Sequence, residues 1–245
     1  MLDVHPPHEA AHTWKDFFIH IATICVGLLI AIGLEQTVEA IHHHHEREFL
    51  KEQMLHEAQG NLEVIKPQIE YSHQVVSFVL AHEKALQDAA ADGDGVKVTL
   101  PANTPSMPNV PILISPSRGT WTVAQAAGTI ALLPPELAKV YAREDLTAEF
   151  EKSAEDDLSE KLMQLATALL KAHLQDHALT AMHMTRAQRD DLLVAYDEVN
   201  QAAQIFGFRL AIQSGASKAV IGGAQTLDEM YPYQEQAVRA LDREQ

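Results

Sequence analysis

The chain has 245 residues, and its 34 acidic against 18 basic side chains leave a formal charge of −16. That balance argues against nucleic-acid binding, which needs clustered Lys and Arg, and against the bulk of the chain lying on an anionic lipid surface. The single cysteine, Cys25, allows no internal disulfide and leaves the rest of the chain without a thiol nucleophile.

Taken in chain order, the first element is the most informative. Phe17 to Leu34 reads FFIHIATICVGLLIAIGL and holds no Lys, Arg, Asp or Glu. As a helix it spans roughly 27 Å, close to the hydrocarbon thickness of a bilayer. This predicts a transmembrane helix with the lipid bilayer as its first partner. A cleaved signal peptide is the rival reading. The leading arm lacks a basic n-region, no Ala-x-Ala follows Leu34, and the helical pattern runs on, so an uncleaved anchor is expected. Lys15 on one side and Arg47 and Lys51 on the other nearly balance, so charge alone barely orients the span.

Beyond the anchor, apolar residues recur at three- and four-residue steps: Val38, Ile41, Phe49, Met54, Leu55, Leu62 and Ile65. Pro67 is expected to kink or end this helix, because it lacks a backbone donor and clashes with the preceding turn. A second helical run, Ile69 to Ala91, stops at Asp92-Gly93-Asp94-Gly95, a strong turn signal. Five prolines between Pro101 and Pro116 then forbid a helix; the stretch reads as an extended loop around VKVTL and ILI, with room for a short strand pair.

Thr120 to Leu133 reads as a short helix capped by Thr120 or Thr122. Pro134-Pro135 breaks it, with Pro135 placed to open the next helix, about 136 to 177. That helix is expected to bury Leu137, Val140, Tyr141, Phe150, Leu158, Leu162, Leu165 and Leu169. The phase weakens near His183, and Thr185 is placed to cap a new start. Leu192, Tyr196, Val199, Ala203, Phe206 and Leu210 then alternate steps of four and three, the seam of a coiled coil or antiparallel bundle, with Gln213 and Ser217 next in phase. The SGASKAVIGGA stretch either admits a close neighbour or marks a frayed end, and an amphipathic piece from Leu227 to Leu241 closes the chain.

These elements predict an all-α protein: an N-terminal transmembrane helix continuing into a long-helix, coiled-coil-like bundle with one proline-rich loop. The expected divisions are a short arm (1–16), the membrane helix (17–34), juxtamembrane helices (35–91), the Pro-rich loop (92–119) and the bundle (120–245).

Cys25 to Leu62, CVGLLIAIGLEQTVEAIHHHHEREFLKEQMLHEAQGNL, resembles the start of a family of uncharacterised bacterial single-pass membrane proteins with a helical extramembrane domain. Trp121 to Ala142, WTVAQAAGTIALLPPELAKVYA, is similar to that family's central motif: a Trp, a Gly about seven residues on, an apolar turn and a new helix. The resemblance implies a short cytoplasmic arm, an anchor in the bacterial inner membrane and an exported domain. The family carries no established catalytic residues, so none are transferred.

Among chemical constellations, His42, His43, His44 and His45 stand out. Consecutive helical residues point about 100° apart, so the four cannot converge on one metal. The pairs Glu39–His43, His42–Glu46 and His44–Glu48 fall at i,i+4, but two ligands are short of a zinc site, and a polar helix surface is the simpler reading. His173 and His177 also stand at i,i+4, yet Leu174, Gln175 and Asp176 between them omit the Glu of an H-E-x-x-H site. Glu155-Asp156-Asp157 and Asp190-Asp191 read as solvated faces. No phosphate loop, G-x-S-x-G elbow or other cofactor motif is present. Within the anchor, Thr23, Gly27 and Ala31 form a small-xxx-small face that lets two membrane helices approach.

The leading expectation is a non-enzymatic, membrane-anchored helical protein that acts through protein contact, as scaffold, accessory subunit of a membrane complex or homo-oligomer. The alternatives are an extracytoplasmic ligand-binding or sensor module without its own output domain and, more weakly, a metal-dependent hydrolase using His173 and His177.

Overall fold

The computed structural model describes residues 14–109, 115–172 and 181–244. It is an all-α fold with one small sheet, and it divides into two compact units, the division falling between Phe49 and Leu50.

Helix α1, Trp14–Gln87, is a single element and continues through Pro67. The helix does not end there, one of the two outcomes expected of Pro67. Pro67 lies on the exposed side of the helix, while Ile65 and Gln68 on either side of it are buried, so packing on one face offsets the backbone hydrogen bond lost on the other. In the first unit α1 is exposed, including Val38, Ile41 and Phe49. From Leu50 onward its heptad-spaced residues are core: Leu50, Met54, Ala58, Ile65, Val75, Phe78 and Val79 are all buried. This half of α1 is thus part of the bundle rather than a segment preceding it.

After α1 comes a hairpin, β1 (Ala90–Asp92) and β2 (Gly95–Thr99), closed by the Asp-Gly-Asp turn with Gly93 at φ 60°. The helix expected to reach Ala91 stops at Gln87, and Ala90–Asp92 forms a strand instead; ILI lies outside the described residues, and β2 takes its second neighbour from far along the chain, β3 (Ala181–Thr185), with Val96 opposite Met184 and Val98 opposite Met182. Period-two burial on β2, with Val96 and Val98 in and Lys97 and Thr99 out, fixes the face that meets the bundle.

Helix α2 (Gly119–Ala127) ends on Gly128 at φ 73°, whose amide returns to the last turn as a left-handed C-cap. A 3₁₀ turn, Thr129–Leu132, leads to α3 (Pro135–Lys171), with Pro135 at its opening as expected. Of the expected α3 core, Leu137, Val140, Tyr141, Leu158 and Leu165 are buried and Leu162 and Leu169 partly so. Phe150 is the exception: it is 40% exposed, with the Arg209 guanidinium 5.2 Å over its ring.

Thr185 caps α4 (Arg186–Ile221) through a capping box with Gln188. All six seam residues from Leu192 to Leu210 are buried. The small-residue end of α4 is ordered helix covered by α5 (Leu227–Glu244): a Cβ on Gly215 would stand 2.5 Å from the Gln234 Cα. Glycine there admits the neighbouring backbone.

The core forms two apolar clusters. One gathers Phe78, Leu158, Leu192, Phe206 and the sheet residues Val96, Val98 and Met184. The other gathers Met54, Trp121, Leu137, Val140, Ala219 and Met230. Along α1 and α3 the second cluster precedes the first, and along α4 the order reverses, so α1 and α3 run parallel with α4 antiparallel to both.

Candidate functional site

Where the two clusters adjoin, buried polar positions appear on three helices at once. α1 contributes Asn61 and Gln68, α3 contributes Glu144, Thr147 and Glu151, and α4 contributes Gln213, Ser214 and Ser217. The hydrophobic period brings each of these side chains inward, and only their chemistry departs from the pattern.

Glu144 is the centre of this layer. Its Oε1 accepts from Asn61 Nδ2 at 3.1 Å, Gln213 Nε2 at 3.0 Å and Ser217 Oγ at 3.1 Å. The Thr147 hydroxyl lies against both the Glu144 carbonyl oxygen, at 2.8 Å, and Gln213 Oε1, and its one proton serves one of them at a time. Burial pushes the Glu144 carboxyl up to about 7, against the donors from Asn61, Ser217 and Gln213 that favour its charged form, and the nearby Glu57 charge pushes the same way as burial.

One heptad further on, Glu151 is 0% exposed and, among the described residues, neither carboxyl oxygen has a hydrogen-bond partner. Burial and the neighbouring Glu155 carboxylate push it up to about 8, Lys152 opposes, and Asp156 adds to the rise. Glu155 itself is buried, accepting from Ser115 Oγ at 2.8 Å and pairing with Lys152 at 3.3 Å. The expected solvated face is therefore only partly solvated: Asp156 and Asp157 are exposed, while Glu155 is turned in by the loop that brings Ser115 to it.

The same loop is stitched down residue by residue before α2. The Ser117 amide donates to Asn61 Oδ1 at 2.7 Å, and the Ser117 hydroxyl donates to Glu57 Oε2 at 2.9 Å. Arg118 grips Asp145 through two bonds of 2.7 and 2.8 Å and reaches Glu149 at 3.2 Å. The Thr120 amide donates to Glu57 Oε2 at 2.8 Å. The N-cap position of α2 is Arg118, with no side-chain cap of its own; neither Thr120 nor Thr122 fills that role, because Glu57 supplies the acceptor from α1.

The histidine run lies on the exposed part of α1. His42 meets Glu46 at 3.1 Å and His43 meets Glu39 at 4.0 Å, two of the expected i,i+4 pairs. The third does not form: Arg47 Nη2 donates to His44 Nδ1 at 2.8 Å, and Arg47 also pairs with Glu48. His45 is exposed. Among the described residues no group of three or more His, Cys, Asp or Glu converges as a metal-holding set. His173 and His177 lie outside the described residues. Their neighbour His183 is on β3, with Nδ1 2.5 Å from Asp92 Oδ2.

On the apolar N-terminal stretch of α1, the Thr23 hydroxyl donates back to the Ile19 carbonyl at 2.9 Å, and Ala31 is exposed. Nothing described lies within 4 Å of where a Gly27 Cβ would stand. The face is open.

Sequence reasoning found the positions Gln213 and Ser217 but not Glu144, Glu151 or Asn61. A glutamate in phase with the α3 core residues Val140, Leu137 and Leu158 was the available signal. Compared with known proteins, the chain matches no family model, no curated protein and no solved structure.

Proposed function

We propose that this chain is a single-pass membrane-anchored helical protein that works by protein–protein contact, as a scaffold or accessory subunit of a membrane complex or as a homo-oligomer. One observation carries the reading. The apolar stretch of α1 is long enough to cross a bilayer, and none of it is buried in the protein, with Leu29 68% and Phe18 60% exposed. Leaving such a surface in water is costly, at about 25 cal/mol per Å² of apolar area. A lipid environment removes that cost. Retention of the segment, rather than cleavage as a signal, is supported by the unbroken helix that leads from it into the bundle and by the missing small-x-small site.

In this reading the anchor sits in a bacterial inner membrane with the helical domain exported, the arrangement implied by the family resemblance. The Thr23–Gly27–Ala31 face meets a second membrane helix, from the same protein or another. The bundle then presents its remaining surface to the partner.

The test is gentle-detergent extraction from native membranes, followed by native electrophoresis and mass spectrometry. Co-migration with a defined set of membrane proteins, or a discrete homo-oligomer, is the expected result. Recovery as monomer alone after crosslinking would overturn the contact role, and release into the soluble fraction by alkaline carbonate would overturn the anchor.

A further inference from the structure

An ionised carboxylate taken out of water without partners costs several kcal/mol even after relaxation. Glu151 has no access to solvent and, among the described residues, no hydrogen-bond donor on either oxygen, so the closed bundle favours it as the neutral acid. Glu144 stands one heptad before it on the same face of α3, inside the same polar layer. The layer also sits where the apolar packing is interrupted on α1, α3 and α4 together, so it is the place where these helices separate with the least loss of apolar contact.

We propose that this layer is a proton-operated latch: Glu151 and Glu144 hold the α1–α3–α4 seam closed while protonated, and their ionisation loosens it. The inference stands independently of the membrane anchor.

The charges around the pair set its direction. On α3, Lys152 is already engaged with Glu155 at 3.3 Å and Asp156 at 2.8 Å, so it leaves Glu151 with a net acidic neighbourhood. Also on α3, Asp145 is neutralised by Arg118, and Arg143 is half-buried with its Nε unbonded. From α1, Glu57 adds negative charge near Glu144, and the buried polar groups Gln68 and Ser72 are uncharged. From α4, the nearest cations by position are Arg209, held over Phe150, and Lys218, which is exposed. No cation in this set pairs with either buried carboxyl.

The sign follows from linkage. The unfolded or opened carboxyls ionise near 4.5, whereas in the closed bundle Glu144 and Glu151 are pushed up to about 7 and about 8. The closed state therefore holds more protons between these limits. Each group raises the opening constant by up to about tenfold per pH unit across its own window, and the effect levels off above the higher value.

The test is hydrogen exchange on the full chain in detergent micelles, from about pH 5 to about pH 9, corrected for intrinsic exchange and read by mass spectrometry. Expected is a rise in opening of segments 58–72 on α1 and 140–158 on α3, flattened in Glu151→Gln and further flattened in the double variant with Glu144→Gln. An unchanged pH dependence in Glu151→Gln would overturn the proposal, as would a flat wild-type profile. Should the variants fail to fold, wild-type infrared spectroscopy decides. A protonated-carboxyl band that titrates between about pH 6 and about pH 9 supports the latch, and one lost near the ordinary carboxyl range sinks it.

Discussion

Glu57 Oε2 accepts the backbone amide of Thr120 at 2.8 Å, so a side chain on α1 caps a helix that begins some 60 residues later. A helix N-terminus exposes unpaired amides and partial positive charge, and a carboxylate answers both. α2 carries no capping side chain of its own, so its start depends on the long helix being folded alongside it. Local structure and tertiary packing are here one interaction, joined by the Ser117 hydroxyl on the same oxygen.

Glu57→Ala should therefore destabilise the bundle by about 1–2 kcal/mol, the range of a lost N-cap. Glu57→Gln keeps an acceptor and should cost less. Chemical denaturation of the two variants beside wild type checks the order. Equal losses would mean that a neutral amide oxygen does not replace the carboxylate, so that charge rather than acceptance carries the contact.

Glu144 makes a sharper case, because three donors converge on one oxygen. Glu144→Ala leaves Asn61, Gln213 and Ser217 buried without their acceptor, and should cost at least about 3 kcal/mol. Glu144→Gln retains a carbonyl oxygen for those donors. The folded carboxyl is held up to about 7, so its neutral form is favoured and wild-type stability falls as pH rises from the ordinary value of 4.5 through 7. The stability of Glu144→Gln relative to wild type should accordingly improve across that window and then level off. Denaturation midpoints at several pH values measure it, and a constant difference would refute the assignment.

Two glycines of helical segments are expected to respond oppositely to the same change. At Gly215 a Cβ would meet the Gln234 Cα at 2.5 Å, the Gln234 amide nitrogen at 2.8 Å and the Tyr233 carbonyl at 2.9 Å, all backbone atoms that cannot turn aside. Gly215→Ala should cost about 1–3 kcal/mol by forcing α5 away. Gly60 is exposed on α1 with nothing within 4 Å of its Cβ position, so Gly60→Ala should stabilise by about 0.5–1 kcal/mol. Thermal melts of both variants read the signs directly.

What the sequence revealed and what it concealed divide along physical lines. The α4 seam and the Thr185 start were legible because periodicity and capping are local, encoded within a few residues of one another. The helix end allowed for at Pro67 does not occur, because a helix-breaking residue acts on one face and α1 is held by the other. β3 was not legible: AMHMT carries weak strand character, and its pairing with β2 is decided by a strand more than 80 residues earlier. The polar layer was half-legible. Gln213 and Ser217 stood in phase with an apolar seam, which announces buried polar groups, but the acceptor they serve, Glu144, lies on another helix and is found only by folding the chain. A carboxyl such as Glu151 resembles any surface acid until its burial is known.

The apolar stretch proposed as the membrane anchor allows a test that uses the cysteine content of the chain. Cys25 is the single cysteine, so Cys25→Ser leaves a background on which Ala31→Cys reports the small-residue face alone. If Thr23, Gly27 and Ala31 meet the same face of a second copy, mild oxidation in native membranes should trap a disulfide dimer through residue 31, because close helices bring such positions within disulfide reach. Leu28→Cys, displaced around the helix from this face, should crosslink far less. Gly27→Leu should abolish the residue-31 dimer by holding the backbones apart. Equal crosslinking from both positions would signify random collision, and no crosslinking would assign the face to a different protein or to lipid. In either case the bundle, not the anchor, would have to carry any self-association.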